Sequence, residues 1–220
     1  MTNFLSVDYI FFTILGYQVS YLEFFGTLLY FLSVLLIARK NIFTWPVGIF
    51  SVILYMLLFY QFQLYSDALE QIYYLIASAY GWWRWSRIKR NEDVIPSGFS
   101  SSRQITYWAS ATVAIGLVLG SLMSNIHTWL PNLFPSEASF PYLDALTTIA
   151  SFTAMWLLTL GRAESWIYWI LIDIAGVYLY FTKGIAFVGL QYVVLTFMAV
   201  YGLVNWKNKL SERVSNVEPS

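Results

Sequence analysis

In so apolar a chain, chemistry has to come from a few polar side chains, and they fall in three helical stripes. The run "SWIYWILIDIAGVYLYF" (165–181) holds Trp166, Trp169 and Asp173 at i, i+3 and i+7, with Tyr180 one further heptad along. An ionised carboxylate near the centre of a membrane span is costly and normally faces a cavity or a partner. No basic residue of the sequence falls at that depth. A cationic or hydroxyl-bearing ligand would answer Asp173; protonation or a structural hydrogen bond is the alternative. The second stripe is Asp67, Gln71, Tyr74 and Ser78 at i, i+4, i+7 and i+11, with Glu70 beside it. Asp67 and Glu70 suit a helix N-terminus, where negative charge meets the positive end of the dipole. Gln71 and Tyr74 lie deeper, placed for a translocation path or for bonding between helices.

The third stripe is Gln191, Met198, Gly202 and Asn205, with Tyr192 adjoining. Side-chain amides both donate and accept, which suits sugar hydroxyls or a carboxamide, and equally suits structural bonds. Trp45, Tyr55, Trp166 and Trp169 offer faces on which a flat ring, cationic or neutral, can stack. Trp83, Trp85 and Trp206 sit beside basic residues and read as interface anchors. The candidate substrate-binding set is therefore Trp45, Tyr55, Glu70, Gln71, Tyr74, Trp166, Trp169, Asp173, Gln191, Tyr192 and Asn205.

Several chemistries are excluded. There is no cysteine, so thiolate catalysis and thiolate metal sites are absent, and His127 is the sole histidine. No Walker-type phosphate loop occurs, and the 12 basic and 12 acidic residues balance, leaving no basic footprint for nucleic acid. No cofactor or metal is expected. Without a mid-membrane His, Cys or basic partner to activate a nucleophile, an intramembrane enzyme is disfavoured.

The elements that must position these stripes are membrane helices. Of 220 residues 59% are hydrophobic and 11% charged, with mean hydropathy +0.61. Apolar runs of about 18–20 residues recur, long enough to cross roughly 30 Å of hydrocarbon. Seven spans are expected, near 21–39, 43–60, 67–86, 104–123, 142–160, 165–182 and 186–206. The first stretch, within 1–20, carries Asp8 and reads as an interfacial or partial membrane segment. No Lys or Arg precedes Arg39, so the basic start of a cleavable signal peptide is missing. With the N-terminus outside, eleven basic residues fall on the cytoplasmic side and only Lys183 opposite. Gly116 and Gly120 form a G-x-x-x-G for close helix contact, within one chain or between chains.

An ungapped shift of 121 residues superposes the two halves. Tyr21-Leu22-Glu23 falls on Tyr142-Leu143-Asp144, Trp45 on Trp166, Glu70 on Gln191, Tyr80-Gly81 on Tyr201-Gly202, and Trp85 on Trp206. Each repeat, 21–86 and 142–206, has three spans. The intervening span within 87–141 makes them parallel, a 3+1+3 arrangement followed by a cytoplasmic tail at 207–220. Parallel duplicated bundles place a substrate near the midplane, which points to a transporter.

The motifs "WPVG" (45–48), "YSDALEQIYY" (65–74) and "YGWWRW" (80–85) combine with "WIYWILID" (166–173), "LQY" (190–192), Tyr201-Gly202 and Trp206. Together they resemble the PnuC family of bacterial nicotinamide riboside transporters, over about 21–206. That resemblance implies an all-α fold of seven transmembrane helices similar to the SWEET sugar facilitators, assembled as a homotrimer in the bacterial inner membrane. It also implies facilitated diffusion, with a cytoplasmic nicotinamide riboside kinase trapping the nucleoside and feeding NAD synthesis. Related members carry riboflavin or thiamine, so a passive or proton-coupled carrier of another vitamin, or of a sugar, is the rival expectation.

Overall fold

The computed structural model of the chain describes residues 4–14, 16–62, 65–91, 98–131, 137, 139–182 and 186–217. Among them are seven helices: α1 (Tyr21–Ala38), α2 (Thr44–Gln61), α3 (Tyr65–Asn91), α4 (Ser102–Trp129), α5 (Pro141–Thr159), α6 (Ser165–Thr182) and α7 (Ala186–Val217). α1, α2, α4, α6 and Val188–Leu210 of α7 are long and apolar enough to cross a membrane by length and composition alone. α3 is diluted by Asp67, Glu70, Arg84 and Arg87, and α5 by Asp144 and a run of Thr and Ser. The chain is an all-α membrane protein. α3 and α4 extend past the expected spans because nothing breaks the helix before the stretches holding Pro96 and Pro131. Lys183 and most of the loops at 92–97 and 132–138 lie outside the described residues.

The N-terminal stretch, expected as an interfacial or partial membrane segment, forms a short antiparallel ribbon. β1 (Ile10–Ile14) and β2 (Tyr17–Ser20) pair antiparallel about Gly16, whose φ of +82° favours glycine. A short run of β-branched and aromatic residues ending at such a turn is hairpin chemistry. Side-chain bonds hold the segment down. Gln61 Nε2 donates to the Leu5 carbonyl (2.8 Å) and Gln61 Oε1 accepts from Val7 N–H (3.1 Å). The Tyr17 hydroxyl donates to Glu23 (2.8 Å). Burial, together with the carboxylate beside it, raises the Tyr17 hydroxyl above the ordinary phenol range, so it remains a donor.

The chain divides into two compact units, one of residues 1–97, 159–161 and 197–220, the other of 98–158 and 162–196. In the first, α1 packs on α2 and α2 on α3. Small residues line the α1–α2 seam, where Ser51 Oγ donates to the Gly26 carbonyl (2.9 Å) and Thr44 Oγ1 to that of Ser33 (2.7 Å). Lipid supplies no hydrophobic drive between helices, so close packing and such bonds do the joining.

In the second unit α4 lies on α5 through its G-x-x-x-G. A methyl group on Gly116 would come within 2.6 Å of Leu146 Cδ2, and one on Gly120 within 2.9 Å of Tyr142 Cα. Thr112 and Thr153 hydroxyls bond beside them (2.9 Å). This glycine pair therefore serves contact within the chain. Ahead of α4, Ser100 N–H donates to both oxygens of Glu164 (3.3 and 3.2 Å), and Ala163 N–H to the Gly98 carbonyl (2.9 Å). Glu164 is 3% exposed, so a buried carboxylate docks the entry of α4 onto the α5–α6 turn.

The 121-residue repeat reappears bond by bond in the turns closing α1 and α5. Asn41 N–H donates to the Leu36 carbonyl and Arg162 N–H to that of Leu157, both at 2.9 Å. The following bonds also match, Thr44 to Asn41 (3.1 Å) with Ser165 to Arg162 (3.2 Å), and Trp45 to Ile42 with Trp166 to Ala163 (3.2 Å each). Lys40 and Gly161 fill the same left-handed position, with φ of +58° and +72°. These are helix C-terminal caps of the Schellman type.

Candidate functional site

Six of the expected residues belong to the first unit. Trp45 is 2% exposed, lies against Gly81 and meets Trp85 edge-on at 5.1 Å. Its indole N–H finds no hydrogen-bond partner among the described residues. The Tyr55 hydroxyl bonds with that of Thr27 (2.8 Å), and its ring stands edge-on to Tyr30 (6.2 Å). Glu70, Gln71 and Tyr74 are half-buried on α3, and Gln71 Nε2 reaches back to the Asp67 carbonyl at 3.4 Å.

Asn205 sits in a different setting from the one expected of a substrate reader. Its Nδ2 donates to the Ala38 carbonyl at the end of α1 (2.7 Å). Next to it, Trp206 Nε1 donates to the Ile37 carbonyl (3.1 Å). Of the 121-residue twins, Arg84 matches Asn205 in donating to the Thr159 carbonyl, and Trp85 Nε1 donates to that same carbonyl, one residue on from the twin of Ile37 (3.1 Å each). Trp85 and Trp206 are fully buried and 6.3 Å apart. They are interior fasteners, although their basic neighbours resemble those of interface anchors. Lys40 lies 5.4 Å from the Trp206 ring centre, and Lys209 donates to the Arg39 carbonyl. The C-termini of α1 and α5 are thus each capped by an indole and the side-chain donor that precedes it in sequence.

The other five residues belong to the second unit. Trp166 is buried at the start of α6, and Trp169 is half-buried one turn on. Asp173 is 4% exposed, and among the described residues it makes no hydrogen bond or ion pair. Gln191 and Tyr192 are half-buried on α7. The Tyr192 ring lies against Gly176 and stacks on Tyr180, centres 5.2 Å apart. Since Gly176 and Tyr180 follow Asp173 at i+3 and i+7, that ring runs along the stripe headed by the carboxylate.

Sequence reasoning passed over Glu23. It is a buried acid in α1 whose N–H is capped by Ser20 (3.2 Å) and whose carboxylate is held by Tyr17. Its alignment with Asp144 in the repeat was the available signal.

A family described as nicotinamide mononucleotide transporters matches residues 20–208. The chain belongs to this family, the PnuC family. The nicotinamide riboside transporter PnuC of Escherichia coli (strain K12) is 29% identical over 218 residues, 91% of this chain and 90% of that protein. The riboflavin/roseoflavin transporter RibM of Streptomyces davaonensis is 28% identical over 200 residues, 89% and 88% of the two chains. A crystal structure of the vitamin B3 transporter PnuC shares the fold at a TM-score of 0.64 and 25% identity, over 88% of this PnuC-family chain and 83% of that one. The chain is a multi-pass membrane protein of a vitamin-transporter family.

Proposed function

We propose that the chain takes up nicotinamide riboside by facilitated diffusion through a site near the bilayer midplane, and that cytoplasmic phosphorylation then commits the nucleoside to NAD synthesis. The observation that carries this reading is Asp173, a buried carboxylate in an apolar helix with no hydrogen bond or ion pair among the described residues. The pyridinium of nicotinamide riboside supplies the missing positive charge. Trp169 and Tyr192 offer it ring faces, and Gln191 suits its carboxamide or a ribose hydroxyl. A nucleotide would bring its phosphate towards the acids of a poorly hydrated site, which favours the riboside over the mononucleotide. The same proposal includes a homotrimer in the inner membrane, as the family resemblance implies; its N-terminus lies outside, an orientation supported by the eleven-to-one distribution of basic residues.

Proteoliposomes holding the purified chain should equilibrate labelled nicotinamide riboside without ATP, kinase or an ion gradient. Strict dependence on a proton gradient would sink the passive mechanism. Asp173→Asn should weaken binding by about tenfold or more, on the scale of a lost charge-assisted contact. Unchanged affinity in that variant removes Asp173 from the site. A second reading, uptake of another vitamin such as riboflavin or thiamine, is favoured by the similarity to RibM. A calorimetric panel of the three ligands separates the two.

A further inference from the structure

Tyr192 and Gly176 meet where α7 lies on α6. A methyl group on Gly176 would stand 2.6 Å from Tyr192 Cε1 and 2.8 Å from its Cγ. The ring therefore rests on bare helix backbone, a seat that only glycine leaves open. It also stacks on Tyr180, the planes 18° from parallel. Gly176 and Asp173 are both buried and one turn apart on α6. A wall of fixed position thus stands one turn from the carboxylate.

The repeat shows that this contact is no shared scaffold. Under the 121-residue shift Gly176 falls on Tyr55 and Tyr192 on Gln71. The first repeat folds without it, and holds Tyr55 through Thr27 instead. A contact needed only for the fold of a three-helix repeat would be expected in both copies.

We infer that Tyr192, seated on Gly176 and stacked on Tyr180, is the size stop of the substrate site, setting how large a flat ring can lie against Asp173. Gly176 is the specificity-determining position and acts through Tyr192. One-ring cations, a pyridinium or a thiazolium, fit beside the stop, and a three-ring isoalloxazine does not. This rests on the reading of Asp173 as the ligand's counter-charge.

The test is calorimetric titration of the purified full chain with nicotinamide riboside, thiamine and riboflavin. Wild type should bind a one-ring cation and refuse riboflavin. Gly176→Ala, which drives the ring off its seat, should weaken one-ring binding about tenfold or more, the scale of one misplaced methyl group in a fitted pocket. Tyr192→Leu should gain riboflavin binding. The double variant Gly176→Ala/Tyr192→Leu should bind within about threefold of Tyr192→Leu alone, because the clash is gone. A defect at 176 that did not run through Tyr192 would give no such rescue, and the gain of riboflavin binding separates a size stop from mere packing. Unaltered one-ring binding by Gly176→Ala, no rescue in the double variant, or continued refusal of riboflavin by Tyr192→Leu overturns the size stop. If Gly176→Ala does not fold, the riboflavin arm of Tyr192→Leu decides alone. Wild type that binds thiamine and not nicotinamide riboside removes the proposed substrate and leaves the stop to be tested with thiamine. Binding of none of the three overturns both.

Discussion

Lys40 and Gly161 hold one backbone conformation with unlike side chains. A residue other than glycine spends about 1 kcal/mol or more in the left-handed region. Gly161→Ala should therefore lower stability by about 1 kcal/mol or more, read as a lower thermal midpoint in detergent, with the buried position adding to the loss. Lys40 tolerates the same φ while its ammonium lies over the Trp206 ring, a contact worth roughly 0.5–1 kcal/mol at such a site. Residue identity was unevenly legible. Asp173 stood out because a charge inside an apolar run has few explanations. Asn205 did not, because an amide suits a ligand or a backbone carbonyl equally, and its partner Ala38 lies 167 residues away. Trp85 was obscured in the same way, since a buried tryptophan and an interfacial one look alike beside an arginine.

At the scale of elements, α4 depends on two contacts. Gly120→Ala would force a methyl group towards the Tyr142 backbone, so it should cost about 1–3 kcal/mol of stability, the usual range for overpacking a close seam. Glu164→Leu should leave the Ser100 N–H without its acceptor, at a cost of about 1–3 kcal/mol. Faster hydrogen exchange at that amide is the direct readout; unchanged protection there would mean that the carboxylate is not what docks α4. The glycine spacing announced a close contact in the sequence, yet nothing in it named α5 as the partner. The N-terminal ribbon was illegible for another reason. Five-residue strands and short apolar helical segments share one composition, and Gly16 alone is a weak turn signal. Helix order and number were readable because five runs are apolar enough to span, and the two diluted ones, α3 and α5, are counterparts of α7 and α1 under the 121-residue shift.

For the whole molecule, the duplication visible in the sequence is also a duplication of bonds. Arg84 and Asn205 are twins that deliver a donor to twin carbonyl ends, at Thr159 and Ala38. Arg84→Asn should then keep most of the stability, whereas Arg84→Leu loses roughly 0.5–1.5 kcal/mol, the range of an interhelical hydrogen bond in a membrane protein. Equal destabilisation by both substitutions would show that charge, not donor geometry, matters at 84. The crossing of these fasteners has one further implication. Arg84 of α3 holds the end of α5, and its twin Asn205 of α7 holds the end of α1. Where residue i of one copy holds j of the other, and the reverse also holds, the contact is isologous, the kind that closes a two-fold dimer. The bonds from Arg84 and Asn205 are of that kind, each twin capping the first span of the other repeat.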